Sequence, residues 1–174
     1  MKGHSTAGKH PSNWLYARAS RNLKELDRRF PLQFVDKDID RSWPDGWNLI
    51  VTKVCESVDQ SKLNASWTQI KEKFGGLRMY YTGAPPRLDI ISEGGLITGR
   101  IREESDSQAE SRNSSIRKIV EEAEQNSLRT CCKCGSAGAQ QLVERWLYTI
   151  CNECLSSFVE RRRSYEKFIG SRLL

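Results

Sequence analysis

Thr130-Cys131-Cys132-Lys133-Cys134-Gly135, separated by sixteen residues between Cys134 and Cys151 from Cys151-Asn152-Glu153-Cys154, is the stretch on which the reading of this chain turns. Two residues between paired cysteines let a tight turn aim both sulfurs at one ion about 2.3 Å away. Two such pairs supply four thiolates, which fill a tetrahedron and leave no position open for water or substrate. The reading is therefore one structural zinc ion held by Cys131, Cys134, Cys151 and Cys154. A redox dithiol pair and a four-thiolate iron–sulfur cluster are the other uses of such a set. Gly135 stands where the turn after the second cysteine calls for an unusual backbone angle. Cys132 is expected to point away from the ion. Cys55 lies on a helix face, where a thiol ordinarily serves as a small buried hydrophobe.

Outward from the cysteines, sixteen intervening residues leave room for two strands, Leu142–Glu144 and Trp146–Ile150, and a last helix over about 155–169. Upstream, Ile116, Ile119, Val120 and Ala123 recur at helical spacing. Residues 102–115 are polar, read as either loop or solvated helix, and a short hairpin fits around Gly94-Gly95. Trp67–Lys71 and Leu77–Thr82 read as a hairpin turning at Phe74-Gly75-Gly76. Trp43-Pro44-Asp45-Gly46 reads as a turn into a helix over Trp47–Asp59, which buries Trp47, Ile50, Val51, Val54 and Val58. Leu15, Ala19, Leu23, Leu26 and Phe30 mark a first helix, stopped by Pro31. The expected fold is α+β, a small hairpin and zinc-ribbon core with several flanking helices. It divides into a disordered tail (1–11), a helix and hairpin region (12–83), a loop-rich insertion (84–115), and a segment with helix, ribbon and basic C-terminal helix (116–174).

The 174 residues carry a net charge of +6, unevenly spread. Residues 1–30 hold seven Lys/Arg against Glu25 and Asp27, and residues 155–174 hold five against Glu160 and Glu166. The middle is mildly acidic. Basic ends suggest an anionic partner such as nucleic acid, set against the plainer reading of solvated helix faces. No run approaches the roughly 18 apolar residues of a membrane span. The first thirty residues lack the apolar core of a secretory signal, so the expected location is cytoplasmic. In a reducing compartment, clustered cysteines bind metal more often than they pair as disulfides.

Several chemistries lack their residues. The only histidines are His4 and His10, both near the N-terminus. That removes Ser-His-Asp and Cys-His catalysis, histidine-dependent nucleases and the His-x-Glu of zinc deaminases. No phosphate-binding G-x-x-x-x-G-K-[ST] loop occurs. Asp36-Lys37-Asp38-Ile39-Asp40 departs from a calcium loop, with Arg41 where glycine is needed and Trp47 where glutamate is needed.

Three features taken together resemble a group of small bacterial and phage proteins of unassigned function. They are the Gly46-Trp47 helix start, the run Lys71-Glu72-Lys73-Phe74-Gly75-Gly76-Leu77-Arg78, and a helix followed by the two cysteine pairs with Trp146. The resemblance covers about 46–82 and 116–154, and it implies an origin in a phage or mobile element. It implies no mechanism. The longer 84–115 segment and the basic ends depart from the pattern.

The function expected from these readings is a non-catalytic zinc-ribbon protein that contacts nucleic acid through its basic terminal helices. The residues named for contact are Arg18, Arg21, Lys24 and Arg28, with Arg161, Arg162, Arg163 and Lys167. Three adjacent arginines span about 300° of a helix, which favours diffuse phosphate contact over reading one groove. Phe74 and Tyr80 offer surfaces on which bases could stack. The alternative is a protein-binding adaptor or inhibitor of a host or defence complex, since five tryptophans and many arginines suit protein interfaces. A carboxylate-metal nuclease is the third reading. The sequence leaves oligomeric state open.

Overall fold

The protein is α+β, and a computed structural model describes residues 19–82, 87–92, 95–100, 107–143 and 146–160. Helix α1 spans Ala19–Arg29. Leu23, Leu26 and Phe30 turn one stripe inward, and Arg28 and Arg29 in the last turn suit the negative end of the helix dipole. Pro31 then prevents continuation. The chain crosses beneath the core through Gln33 and Phe34, both buried. Gln33 acts as a polar staple. Its side-chain amide donates to the Cys55 carbonyl at 2.9 Å and its Oε1 accepts from the Trp67 indole at 3.1 Å.

A two-residue strand β1, Arg41–Ser42, runs parallel to β2. After it, Trp43 is fully buried and its indole donates to Asn48 Oδ1 at 2.9 Å. A 3-10 turn, Asp45–Trp47, leads directly into helix α2, Asn48–Gln60. The inward face of α2 is Val51, Val54, Cys55 and Val58, all buried, with Ile50 partly so.

Strands β2 (Trp67–Lys73) and β3 (Gly76–Tyr81) form the hairpin, and with β1 they make a sheet ordered β1-β2-β3. Lys73 pairs with Gly76, so Phe74 and Gly75 form a two-residue turn with φ of 55° and 73°. Positive φ at both central residues is what a hairpin turn matching the strand twist requires. Glycine adopts it freely, whereas phenylalanine does so at a cost of about 1 kcal/mol. Leu77, Met79 and Tyr81 alternate into the core, as period-two patterning predicts.

Strands β4 (Arg87–Ser92) and β5 (Gly95–Arg100) form a second antiparallel hairpin. Helix α3 covers Ser107–Ser127, and Ile116 on it is buried in the core. Residues 107–115 are dominated by serine and asparagine, indifferent helix formers, and carry no apolar stripe, so pattern alone does not separate loop from helix there. Ile116, Val120 and Ala123 are buried, and α3 packs on α2 and β3.

The end of α3 covers the free edge of β3. The Leu77 amide donates to Ser127 Oγ at 2.8 Å, and the Met79 amide donates to Glu124 Oε1 at 3.2 Å. Ser127 in turn donates to the Glu124 carbonyl at 2.6 Å. Both side chains are buried, and they satisfy strand amides that would otherwise lack acceptors.

Strands β6 (Ala139–Val143) and β7 (Trp146–Ile150) form the third hairpin, and residues 152–160 are helical. β6 starts earlier than the apolar residues indicate, because Gln140 and Gln141 continue the ladder. Residues 1–11 and the remainder of the last expected helix lie outside the described residues. Among the described residues, no helix is long and apolar enough to cross a membrane.

Candidate metal centre

One sulfur each from Cys131, Cys134, Cys151 and Cys154 lies within 4.8 Å of the others. Cys134 Sγ and Cys151 Sγ are 3.7 Å apart. A tetrahedral ion with metal–sulfur bonds of about 2.3 Å spaces its sulfurs about 3.8 Å apart, so the cluster has the size for one ion.

The first pair sits on a knuckle closed by backbone bonds. The Cys131 amide donates to the Ser136 carbonyl at 2.7 Å, and the Gly135 amide donates to the Cys131 carbonyl at 2.9 Å. Gly135 has φ of +79°, which meets the expectation placed on it. Thr130 bridges Ala137, and the Gly138 amide donates to the Arg129 carbonyl at 2.9 Å. The second pair ends β7 and opens the helical segment 152–160. There the Leu155 amide donates to the Cys151 carbonyl at 3.0 Å, and the Cys154 amide points at Cys151 Sγ at 3.5 Å.

The electrostatics of the thiols are divided. Hydrogen bonds from the Ser136 hydroxyl and amide bring Cys134 down to about 6 from the ordinary 9.0. Burial pushes Cys131 up, and it pushes Cys154 up further, helped by hydrogen bonds with neighbouring thiols. Four sulfurs this close cannot all ionise without a cation among them, and a bound cation removes that penalty outright. The donor set therefore fits a thiophilic metal ion. With four protein ligands its chemistry is structural, joining the knuckle to the end of β7.

Cys132 and Cys55 stand apart from the cluster. Both are buried in the core, and burial pushes each thiol up to about 12.

The cysteine module is seated on the rest of the fold at two glycines. The Gly46 amide donates to the Cys132 carbonyl at 2.9 Å, and a Cβ at Gly46 would lie 2.1 Å from the Cys131 carbonyl oxygen. Beside it, the Trp47 indole donates to the Thr130 carbonyl at 2.9 Å. On the other side, Thr149 Oγ1 donates to the Gly75 carbonyl at 2.6 Å, and a Cβ on Gly75 would lie 3.1 Å from the Leu147 carbonyl oxygen. Gln140 Nε2 reaches the Phe74 carbonyl at 3.3 Å. Gly46-Trp47 and Phe74-Gly75 were singled out by the resemblance, and the structure uses both as docking points for the module.

The basic residues named for contact are less gathered. Lys24 and Arg28 are exposed on α1, and Arg28 forms a two-pronged pair with Glu25. Arg21 lies in α1, with its side chain outside the described residues. Arg18, Arg161, Arg162, Arg163 and Lys167 also lie outside them. Other cations near α1 are paired: Arg29 with Glu56 at 2.6 Å, and both Arg41 and Lys37 with Asp27.

A groove of about 740 Å³ runs between α2 and α3 and ends at Cys134 and Gly135. Leu49, Ile50, Val54 and Ile119 line it, with Lys53 and Arg129 on the rim. Comparison of the chain with protein-family models, curated proteins and solved structures gave no match.

Proposed function

We propose that this chain is a non-catalytic zinc-stabilised protein that binds nucleic acid. The observation that carries the reading is the closed set of four thiols seated on the fold by backbone contacts at Gly46 and Gly75. A saturated ion has no position for substrate, so it braces a surface rather than performing chemistry. The net charge of +6, concentrated toward the ends of the chain, supports an anionic partner. The resemblance of Gly46-Trp47 and the hairpin to small bacterial and phage proteins supports an origin in a phage or mobile element.

The test is fluorescence anisotropy of labelled DNA and RNA, single- and double-stranded, with metal-loaded protein across a salt series. Binding that weakens steeply with salt supports the reading, because phosphate contacts release counterions. No binding to any of the four at low salt would end it. Elemental analysis of the purified protein should give one zinc per chain, and visible absorption of an iron–sulfur chromophore would replace zinc with a cluster.

A second reading, a protein-binding adaptor, is favoured by the α2–α3 groove and by Leu49, which is 64% exposed at its edge. A complex that persists in high salt would support it over the first.

A further inference from the structure

The outward side of the β2–β3 hairpin carries two aromatic rings, each beside a lysine. Lys73 Nζ lies 5.0 Å from the centre of the Phe74 ring, and Lys71 Nζ lies 6.0 Å from the centre of the Tyr80 ring. Lys71, Lys73, Phe74 and Tyr80 are all half-buried. Neither ring is among the residues that form or pack against the hydrophobic core. The register puts Lys71, Lys73 and Tyr80 on one side, and Phe74 stands in the turn at its end, with its ring beside Lys73. Lys71 pairs with Arg78, Lys73 with Gly76, and Gln69 with Tyr80, while Leu77, Met79 and Tyr81 face inward. From Gly76 to Tyr80 the strand advances about 13 Å. Two ring-and-cation units are thus spread along one side of a hairpin, with buried Arg78 between them.

Phe74 is also in a backbone conformation that phenylalanine disfavours. Its φ is +55°, at the turn position where asparagine and glycine are the usual occupants. An aromatic at such a position, against local preference, is an outlier of the kind that gathers at functional sites. The turn is held rigidly: the Gly75 amide donates to Glu72 Oε1 at 2.7 Å, and the cysteine hairpin grips the Phe74 and Gly75 carbonyls.

From this geometry we infer that the outward side of the β2–β3 hairpin is a platform for single-stranded nucleic acid. Bases stack on Phe74 and Tyr80 while Lys71 and Lys73 meet the phosphates. The inference rests on the nucleic-acid reading above and narrows it to one strand and one surface. Base stacking on aromatic rings tolerates sequence, because every base presents a π-face, and a duplex hides those faces.

The experiment measures binding of metal-loaded protein to labelled oligo(dT), oligo(U) and a DNA duplex of the same length, for the native chain, Phe74→Asn and Tyr80→Thr. Asparagine suits a positive φ, so Phe74→Asn is expected to keep or raise the melting temperature while single-strand affinity falls about tenfold. Tyr80→Thr, a strand-compatible change, is expected to lower affinity similarly, with duplex binding little altered in both. The two single-stranded probes separate DNA from RNA as the preferred strand. Native-like single-strand affinity in both variants, or a native chain that binds duplex at least as tightly, would overturn the platform and leave the broader reading standing. A native chain that binds none of the three would overturn both.

Discussion

The amide of Gly46 donates to the carbonyl of Cys132 at 2.9 Å, so the peptide joining Cys132 to the rest of the cysteine knuckle is fastened to the backbone that opens α2. The contact is backbone to backbone, and it is possible only because residue 46 has no side chain. A methyl group there would sit 2.1 Å from the Cys131 carbonyl oxygen, well inside van der Waals contact. Gly46→Ala is therefore expected to push the knuckle off its seat. We expect a loss of about 2 kcal/mol or more, seen as a fall of roughly 4–8 °C in melting temperature, together with weaker metal retention against a chelator. A Gly46→Ala protein with native stability and native metal retention would show that the seat is dispensable.

Cys132 and Cys134, two residues apart, should behave oppositely. Cys134→Ser removes one of the four clustered thiols and is expected to lose the metal and much of the fold, since the binding energy of a structural ion is folding energy. Cys132→Ala is expected to keep one metal per chain and to cost only about 1–2 kcal/mol for the small cavity it leaves in the core. Metal analysis with thermal melts of both variants checks this, and metal loss in Cys132→Ala would reassign the ligands.

Burial raises the Cys55 thiol from 9.0 to about 12. A raised thiol resists ionisation in the folded state while the unfolded chain ionises freely. The associated stability is fully present below pH 9 and is lost as pH climbs toward 12, at about 1.4 kcal/mol per unit. Denaturant titrations at pH 8 and pH 10 should show a smaller loss in Cys55→Ala than in the native chain. Equal slopes would mean that the thiol is not shielded from water.

Ser127→Ala leaves the buried Leu77 amide without its acceptor and frees the last turn of α3 from its own carbonyl contact. The expected cost is about 1–3 kcal/mol, with faster hydrogen exchange at the Leu77 amide. Unchanged exchange at that amide would show that another group takes over the edge.

Much of the frame was legible because it follows local rules. The stripe ending at Phe30 and Pro31, the alternation of Leu77, Met79 and Tyr81, and the paired cysteines each announce a structure through spacing alone. Ile116, Val120 and Ala123 located the inward face of α3, and the structure places all three in the core. What spacing does not encode is which distant backbone groups meet. Gly46 could be read as part of a turn, but its contact with Cys132 depends on a chain reversal 86 residues later in the sequence. Gln33, Glu124 and Ser127 are polar residues whose buried bonds exist only after helix and sheet have packed. The short strand β1 has no periodicity to detect at two residues. The four thiols of the site were readable, whereas the glycine seats beneath them were visible only as a motif without a reason.

The edge of β3 is covered by groups 45 and 50 residues further along the chain, Glu124 for Met79 and Ser127 for Leu77. During synthesis at about 5–20 residues per second, that strand waits roughly 2–10 s for its cover. Throughout that interval its open amides can template pairing with a neighbouring nascent chain. A slower ribosome lengthens that exposure, and the pairing of Glu124 and Ser127 with β3 closes it.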